Sequence, residues 1–257
     1  MDFTEGVHEN VTYEDYAAIP AWRSHDLTTL IRCPFSWQNK KPMEETAALL
    51  EGRVQHTVFL ELDKFDEEFV IEPNVDRRTK IGKQEYADFL ETVGDRRPIK
   101  QDLYDVCMER REVVEEYVPQ PEDKVELTLM FYWFGQKCKC RLDHYNGRDI
   151  WDLKTCRDAS PRGFRSAINN FFYYQQAAFY LMGCERVGLP VDNFWFLAQE
   201  KAYPYPYAVY GLSEKAIEYG NARNEQALDM GVKAQAGKIY KPFNVEEKVI
   251  FDATDLY

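Results

Sequence analysis

The sequence predicts an α/β domain, and two observations predict it. Three extended runs, at 125–134, 137–145 and 148–155, follow one another with only Gly135-Gln136 and Asn146-Gly147 between them, and both pairs suit tight hairpins. Helical patterns lie on both sides of these runs, up to residue 117 and from residue 161. A β meander enclosed by helices is typical of mixed α/β domains.

The helices before the meander are predicted from caps and apolar spacing. Ser24-His25-Asp26 can begin a helix that runs to residue 31, and Cys33-Pro34 ends it, because the residue before proline disfavours helical geometry. Further helices are expected at 44–60, 84–93 and 102–117. Residues 76–83, here called the basic segment, are expected to form a loop.

After the meander the pattern alternates between helix and strand. Pro161 follows Ser160, which is typical of a helix start, and one long helix is predicted over 161–185. Strands at 194–199 and 207–212 and a helix over 213–232 come next. Since no internal repeat and no Gly/Ser linker divides the sequence, we expect a single domain over 21–257 after an N-terminal extension of residues 1–20.

Composition and charge exclude several classes of protein. The chain has 257 residues, of which 45% are hydrophobic, and a net charge of −12, which argues against a broad basic surface that coats nucleic acid. Six scattered Cys and a start without an apolar run favour a reducing cytoplasm. The longest strongly apolar stretch, residues 127–134, is far shorter than the roughly 18 residues of a membrane span, so no membrane role is expected.

Acidic side chains inside the meander point most directly to function. Alternation along a strand places Asp152 and Lys154 on one face. If Asn146-Gly147 is a two-residue turn, Asp143 lies diagonal to Asp152 on that face, at about 7–8 Å between backbones. The same arithmetic through a Gly135-Gln136 turn brings Glu126 to the shared face, and a two-residue Phe134-Gly135 loop would give the same result. Three carboxylates should therefore converge.

Converging carboxylates repel one another, which raises their proton affinity unless a cation lies between them. Mg²⁺ prefers oxygen ligands, so the spacing predicts a divalent metal site. The alternative is a solvated sheet face, on which Asp152 forms weak ion pairs with Lys154 or Arg141. His56 is either a core histidine or a nitrogen ligand of the same site, with Gly52 allowing close packing, and a mixed shell would also accept Mn²⁺.

A polar stripe crosses the long predicted helix. Its members lie 4, 4, 3 and 4 residues apart: Arg165, Asn169, Tyr173, Gln176 and Tyr180. The stripe could face water, or it could contact the strands or a substrate phosphate.

The ordered motifs of this chain resemble those of the PD-(D/E)xK nuclease superfamily, and most nearly those of RecE-type phage exonucleases, which are exonuclease VIII-like. They are, in chain order, Gly52-x-x-x-His56, Glu126, Asp143, Asp152-x-Lys154 and Tyr173-x-x-Gln176-x-x-x-Tyr180. The likeness spans about residues 22–245 and includes Arg77-Arg78-Thr79-Lys80-x-Gly82-Lys83. Asp152 stands where many members have Glu, which the RecE-type pattern allows.

The resemblance implies a restriction-endonuclease-like core with a central mixed β-sheet flanked by helices. It implies a Mg²⁺-dependent, ATP-independent exonuclease that digests double-stranded DNA from 5′ ends and leaves 3′ single-stranded tails for recombination by annealing. It also implies a ring-shaped homo-oligomer around the DNA, a RecT-like phage annealing partner, and a phage or prophage origin in the cytoplasm of a bacterial host.

The superfamily's roles transfer residue by residue, as implications of the resemblance. The metal ligands would be His56, Asp143, Asp152 and the backbone carbonyl of Leu153. Lys154 would position or activate the attacking water with support from Gln176 and Tyr173, and Glu126 is a further acidic member. Beside two carboxylates Lys154 should stay protonated, which favours orientation over general-base duty. The candidate DNA contacts are all basic: Arg77, Arg78, Lys80, Lys83, Arg162 and Arg165.

Other interpretations stay open. The metal motif does not indicate the direction of digestion, so a nuclease of opposite polarity or an endonuclease fits as well. A non-catalytic DNA-end adaptor could also keep the fold. The basic segment could be an ordinary solvated loop. Four of the Cys invite an iron–sulfur interpretation, but their spacing differs from that of the related cluster-bearing nucleases: Cys138, Cys140, Cys156 and Cys184.

Overall fold

A six-stranded sheet forms the centre of the protein, whose computed structural model describes residues 2–41 and 46–243. Its strands, in spatial order, are β1 (Gly6–His8), β4 (Lys124–Trp133), β5 (Gln136–Tyr145), β6 (Asp149–Cys156), β7 (Asn193–Glu200) and β8 (Tyr207–Gly211). β6 and β7 are parallel, and the other neighbours are antiparallel. Two short strands, β2 (Phe69–Ile71) and β3 (Arg97–Ile99), form a separate parallel pair. The central mixed sheet flanked by helices confirms the predicted fold class.

Ten α-helices surround the sheet in the described part of the chain. They are α1 (Tyr13–Ala18), α2 (Ser24–Arg32), α3 (Pro34–Gln38), α4 (Ala47–Leu60), α5 (Phe65–Glu68), α6 (Lys80–Val93), α7 (Gln101–Val113), α8 (Pro161–Asn170), α9 (Tyr173–Val187) and α10 (Glu214–Gln235). Ser160 and Ser213 cap α8 and α10 by accepting hydrogen bonds from backbone N–H groups, as the sequence predicts. The predicted start of the second helix at residue 44, and the predicted domain beyond residue 243, lie outside the described residues. None of the described helices combines the length and apolar character that crossing a membrane needs.

The prediction of one helix over 161–185 is wrong. The helix ends at Asn170 and a new one begins at Tyr173, because Phe172 adopts a left-handed backbone conformation with φ of 57°. Neither Gly nor Pro marks this break in the sequence. Phe164 on α8 is fully buried and packs against both Phe196 of β7 and Tyr173 of α9, so the two halves stay in contact across the break.

Both hairpin connections differ from the predicted turns. Trp133 pairs with Gln136, so the first turn is Phe134-Gly135 rather than Gly135-Gln136. In the second, Tyr145 pairs with Ile150, so four residues instead of two separate the first paired residues, and the last of the four, Asp149, already belongs to β6. The Asn146 side chain stabilises this connection by accepting hydrogen bonds from the backbone N–H groups of the two residues that follow Gly147. The second register moves by two residues, which preserves the side-chain alternation.

One hydrophobic core lies on each face of the sheet. The larger core joins the sheet to α2, α9 and α10, and a smaller one joins it to α4 through Phe59, Leu60, Leu153 and Leu197. At one edge, residues 6–8 pair with β4. Part of the segment expected to be an N-terminal extension is therefore a strand of the main sheet.

Candidate active site

The candidate site is a cleft where β5 and β6 separate. The two strands pair at only two positions, His144 with Trp151 and Tyr145 with Ile150. Beyond them the backbone N–H of Leu153 donates to a carboxylate oxygen of Asp143 at 3.0 Å instead of to a strand carbonyl. The separation of the strands thus opens a gap, and the side chain of Asp143 fills it. We call the residues around this gap the site cleft: His56, Glu126, Asp143, Asp152 and Lys154.

Asp152 and Lys154 form a buried ion pair on one side of the site cleft. The Asp152 side chain is 1% exposed and that of Lys154 is 15% exposed. Gln176 of α9 donates from Nε2 to Oδ1 of Asp152 at 2.7 Å, and the Tyr173 ring faces the Lys154 Nζ at 4.9 Å. The break between α8 and α9 places Tyr173 and Gln176 on the first turn of a new helix, which packs on β4 and β5 and reaches β6 through these two side chains. Part of the predicted polar stripe therefore contacts the strands.

Burial and the neighbouring charges shift the pKa values of Asp152 and Lys154. Burial, reinforced by Asp143 and opposed by Lys154, raises the pKa of Asp152 to about 6. Burial alone would lower the pKa of Lys154, but Asp152 and Asp143 outweigh it, so the pKa of Lys154 is raised. Lys154 is thus an ammonium group, as the sequence predicts.

His56, Glu126 and Asp143 converge on the other side. One ligand atom from each lies within 4.8 Å of those of the other two, and Nδ1 of His56 is 3.9 Å from Oδ2 of Asp143. Asp152 is outside this group of three, and its carboxylate accepts from Gln176 and pairs with Lys154. A carboxylate has about four acceptor positions, so these contacts leave Asp152 capacity for a cation.

An interrupted strand brings Glu126 into the group. Leu127 packs in the larger core while Val125 packs in the smaller one on the opposite face, so the regular alternation fails between them. Glu126 has φ of 50°, in the left-handed region that is rare for a side chain of this kind. Strained backbone of this sort persists where the surrounding structure holds it, often at functional sites.

The donors present fit a divalent cation. Burial, followed by repulsion from Asp143, raises the pKa of Glu126 to about 7, so the charged form of Glu126 is disfavoured in this site. A divalent cation relieves that repulsion, and two carboxylates with one imidazole suit Mg²⁺ or Mn²⁺. The residues that would hold it are His56, Glu126 and Asp143, with Asp152 adjacent.

His56 and Gly52 lie on α4, which covers the second face of the sheet. The His56 side chain is 36% exposed, which is unlike a core histidine. Among the described residues, and apart from the adjacent backbone of α4 itself, no atom lies within 4 Å of the position that a Cβ on Gly52 would take. The expectation that Gly52 permits close packing is therefore wrong: it leaves open space one helical turn before His56.

The six candidate DNA contacts are all exposed, on α6, on α8 and in the loop before α6. In the basic segment, Arg78 donates from Nε and Nη2 to the carboxylate of Asp76, at 2.9 and 3.1 Å, and Arg77 lies 4.3 Å over the Tyr86 ring. The helix begins at Lys80 rather than at residue 84, because Thr79 caps it. These six residues lie apart from the contacts that join the site cleft.

The sequence predicts neither the observed partner of Arg141 nor the burial of Lys139, two basic residues on β5. Arg141 pairs with Glu126, with 3.3 Å between Nη1 and Oε2, rather than with Asp152. Lys139 is 1% exposed. Two cations at alternate positions before Asp143, within a strand, were the available signal. All six Cys are free thiols, and Cys138 and Cys140 lie in the larger core.

The family comparison agrees with this geometry. A family model described as a PDDEXK-like domain of unknown function (DUF3799) matches residues 28–247. Fold and site together thus define a protein of the PD-(D/E)xK class. More particularly, the chain belongs to the DUF3799 family of PDDEXK-like domains.

A solved structure has the same fold. The crystal structure of a "putative exonuclease" from Eubacterium rectale is similar with a TM-score of 0.62 and 14% identity, covering 97% of this chain and 98% of that chain. At this identity the likeness shows the fold alone. The alignment with the crystal structure of SSO0001 covers 79% of this chain and 84% of that chain at 14% identity. Its TM-score of 0.28 is too low to indicate a shared fold. No curated protein matches the sequence significantly.

Proposed function

We propose that this protein is a divalent-metal-dependent nuclease that hydrolyses the phosphodiester backbone of DNA. The observation that carries the proposal is the unbroken series of contacts from His56 through Asp143 and Leu153 to the Asp152–Lys154 pair. It joins three elements, α4, β5 and β6, around one gap in the sheet. A purely structural set of buried charges would gain little from leaving two carboxylates so close together.

The chain's own residues account for substrate orientation and charge. A bound divalent cation would lower the proton affinity of water and neutralise charge that develops at phosphorus. Lys154, fixed by Asp152 and covered by Tyr173, presents a positive charge where the attacking water and the phosphate would meet. Gln176 holds the Asp152 carboxylate in one orientation. Since Lys154 is protonated, it orients and stabilises rather than accepts a proton.

The more specific proposal is a 5′-to-3′ exonuclease on double-stranded DNA ends, ATP-independent and of the RecE type. The ordered motifs support it, and the printed description of the Eubacterium rectale neighbour is compatible with it. We further propose that it leaves 3′ tails for a RecT-like annealing partner, acts as a ring-shaped homo-oligomer, and works in the cytoplasm of a bacterium that carries the phage. The exposed basic residues of α6 and α8 would supply local phosphate contacts on an acidic protein.

One experiment tests reaction and direction together. Linear duplex labelled at the 5′ or at the 3′ end, and a circular duplex, are incubated with Mg²⁺ or with chelator. We expect Mg²⁺-dependent release of the 5′ label as mononucleotide, with later shortening of the 3′-labelled strand and an intact circle. Early release of the 3′ label would indicate the opposite polarity, and cleavage of the circle an endonuclease. DNA binding without any cleavage would indicate an adaptor.

A further inference from the structure

The carboxylate of Glu126 forms an ion pair with Arg141, a residue to which the proposed function gives no role. Arg141, on the neighbouring strand, has a side chain only 13% exposed, and it approaches Oε2 of Glu126 at 3.3 Å. Its Nε also points at the Thr128 hydroxyl at 3.4 Å. Glu126 has strained backbone and lies between two strand residues that face opposite cores. The regular alternation of a strand therefore does not fix the direction of its side chain.

Arg141 is in turn held by the N-terminal segment, residues 11–19. Its Nη2 donates to the carbonyl oxygen of Val11, and its guanidinium lies 5.0 Å from the centre of the Tyr16 ring. Arginine is suited to such a position, because its planar group makes several fixed contacts at once while remaining charged. The guanidinium is therefore fixed from the segment on one side and from β4 on the other.

Lys139 anchors the same segment without touching Glu126. It donates to the carbonyl oxygens of Tyr16, Ala17 and Ile19 at the end of α1, and its Nζ lies 4.5 Å from the centre of the Tyr16 ring. A cation at the carboxyl end of a helix is favourable. Attachment of the segment to the sheet is thus already provided by Lys139, and Arg141 makes a contact that attachment does not require.

We propose that Arg141, fixed by residues 11–16, is a positioning residue that aims Glu126 at a divalent cation in the site cleft. The inference rests on the proposed function only in assuming that the cleft binds such a cation. It makes the N-terminal segment part of the metal site rather than an appendage. Residues that orient metal ligands in this way typically change metal affinity by about 10–100-fold when they are replaced.

The test compares Arg141→Met with the matched control Lys139→Met. Mn²⁺ binding is measured by calorimetry without DNA, and thermal unfolding is measured with chelator. We expect Arg141→Met to weaken Mn²⁺ binding about tenfold or more. Lys139→Met should lower the unfolding temperature but leave Mn²⁺ affinity nearly unchanged. Arg141→Lys, which keeps the charge and loses the planar group, should fold and show an intermediate loss even if Arg141→Met does not fold.

A double-mutant cycle shows whether Arg141 acts through Glu126. In a Glu126→Gln background, Arg141→Met should cause little further loss of Mn²⁺ affinity. Wild-type affinity in both Arg141 variants, or equal losses in the Arg141 and Lys139 variants, would overturn the inference while leaving the nuclease proposal intact. A wild-type protein that neither binds Mn²⁺ nor cleaves DNA would overturn both.

Discussion

The site cleft and the basic segment both hold opposite charges side by side, but in opposite surroundings. In the site cleft the Asp152–Lys154 pair is buried and is held by Gln176 and Tyr173. In the basic segment the side chain of Arg78 is 91% exposed and pairs with Asp76 two residues earlier. Burial makes charges costly and their geometry fixed, whereas exposure screens them. We therefore expect chemistry to depend on the site cleft, and the basic segment to modulate DNA binding only.

Replacing Asp152 should have the largest effect. Asp152→Asn removes a negative charge from beside Lys154 and from the edge of the metal site, so DNA cleavage should fall at least about a hundredfold. Folding should be retained, because burial already penalises the Asp152 charge and Lys154 keeps Asp143 as a nearby anion. Asp149→Asn is the control, since Asp149 lies on the same strand but accepts from Asn193 and Trp195. If Asp152→Asn cleaved DNA as fast as this control, the chemistry would not depend on the buried pair of the site cleft.

Glu126 should make the stability of the metal-free protein depend on pH. Its pKa, about 7 in the folded protein, is above the ordinary value of 4.5, so folding binds this proton more tightly. The resulting stability is present below about pH 4.5 and is lost as the pH rises through about 7. In chelator, Glu126→Gln should therefore unfold several degrees above wild type near pH 8, and close to it near pH 5.

The control for this pH dependence is Glu112→Gln, at an exposed position on α7. It should follow wild type across the whole range. Added Mg²⁺ should raise the unfolding temperature of wild type more than that of Glu126→Gln. A difference between Glu126→Gln and wild type that stays constant with pH would show that the Glu126 carboxylate is not under repulsion in the fold.

Replacing Gly52 should affect stability and activity in opposite directions. Since a Cβ there would meet no atom of the described chain within 4 Å outside the α4 backbone, Gly52→Ala should stabilise α4 by about 0.5–1 kcal/mol. If substrate occupies the open space beside His56, the same methyl group should lower cleavage several-fold. Denaturant unfolding and initial rates on linear duplex measure the two effects. Gly220→Ala is the contrast, because its Cβ would lie 2.4 Å from the Tyr174 carbonyl oxygen and should destabilise the protein.

The basic segment should give the smallest effects. Arg78 is already paired with Asp76, so Arg77→Ala should weaken DNA binding more than Arg78→Ala, each by only a few-fold. Asp76→Asn should strengthen binding by releasing Arg78. Each lost phosphate contact reduces the slope of log affinity against log salt by about 1. Fluorescence anisotropy in chelator, over a range of salt, measures it, and unchanged slopes would remove this segment from the DNA contacts.

Much of the fold follows from local sequence signals. Alternation and turn residues predict the three meander strands, and Ser160 and Ser213 predict two helix starts, because caps and turns act over a few residues. The break at Phe172 lacks such a signal. It depends on how Phe164 and Tyr173 pack against β7, and those contacts are distant in sequence.

The sequence by itself determined that Asp152 and Lys154 share a face of one strand, because side chains alternate with a period of two residues. Only the tertiary structure decided which groups meet them. The strands separate after two pairs, the backbone reverses its alternation at Glu126, and α4 brings His56 across the sheet. Each of these depends on the packing of two cores and of the N-terminal segment against β5. Such long-range packing leaves no periodic trace in the sequence.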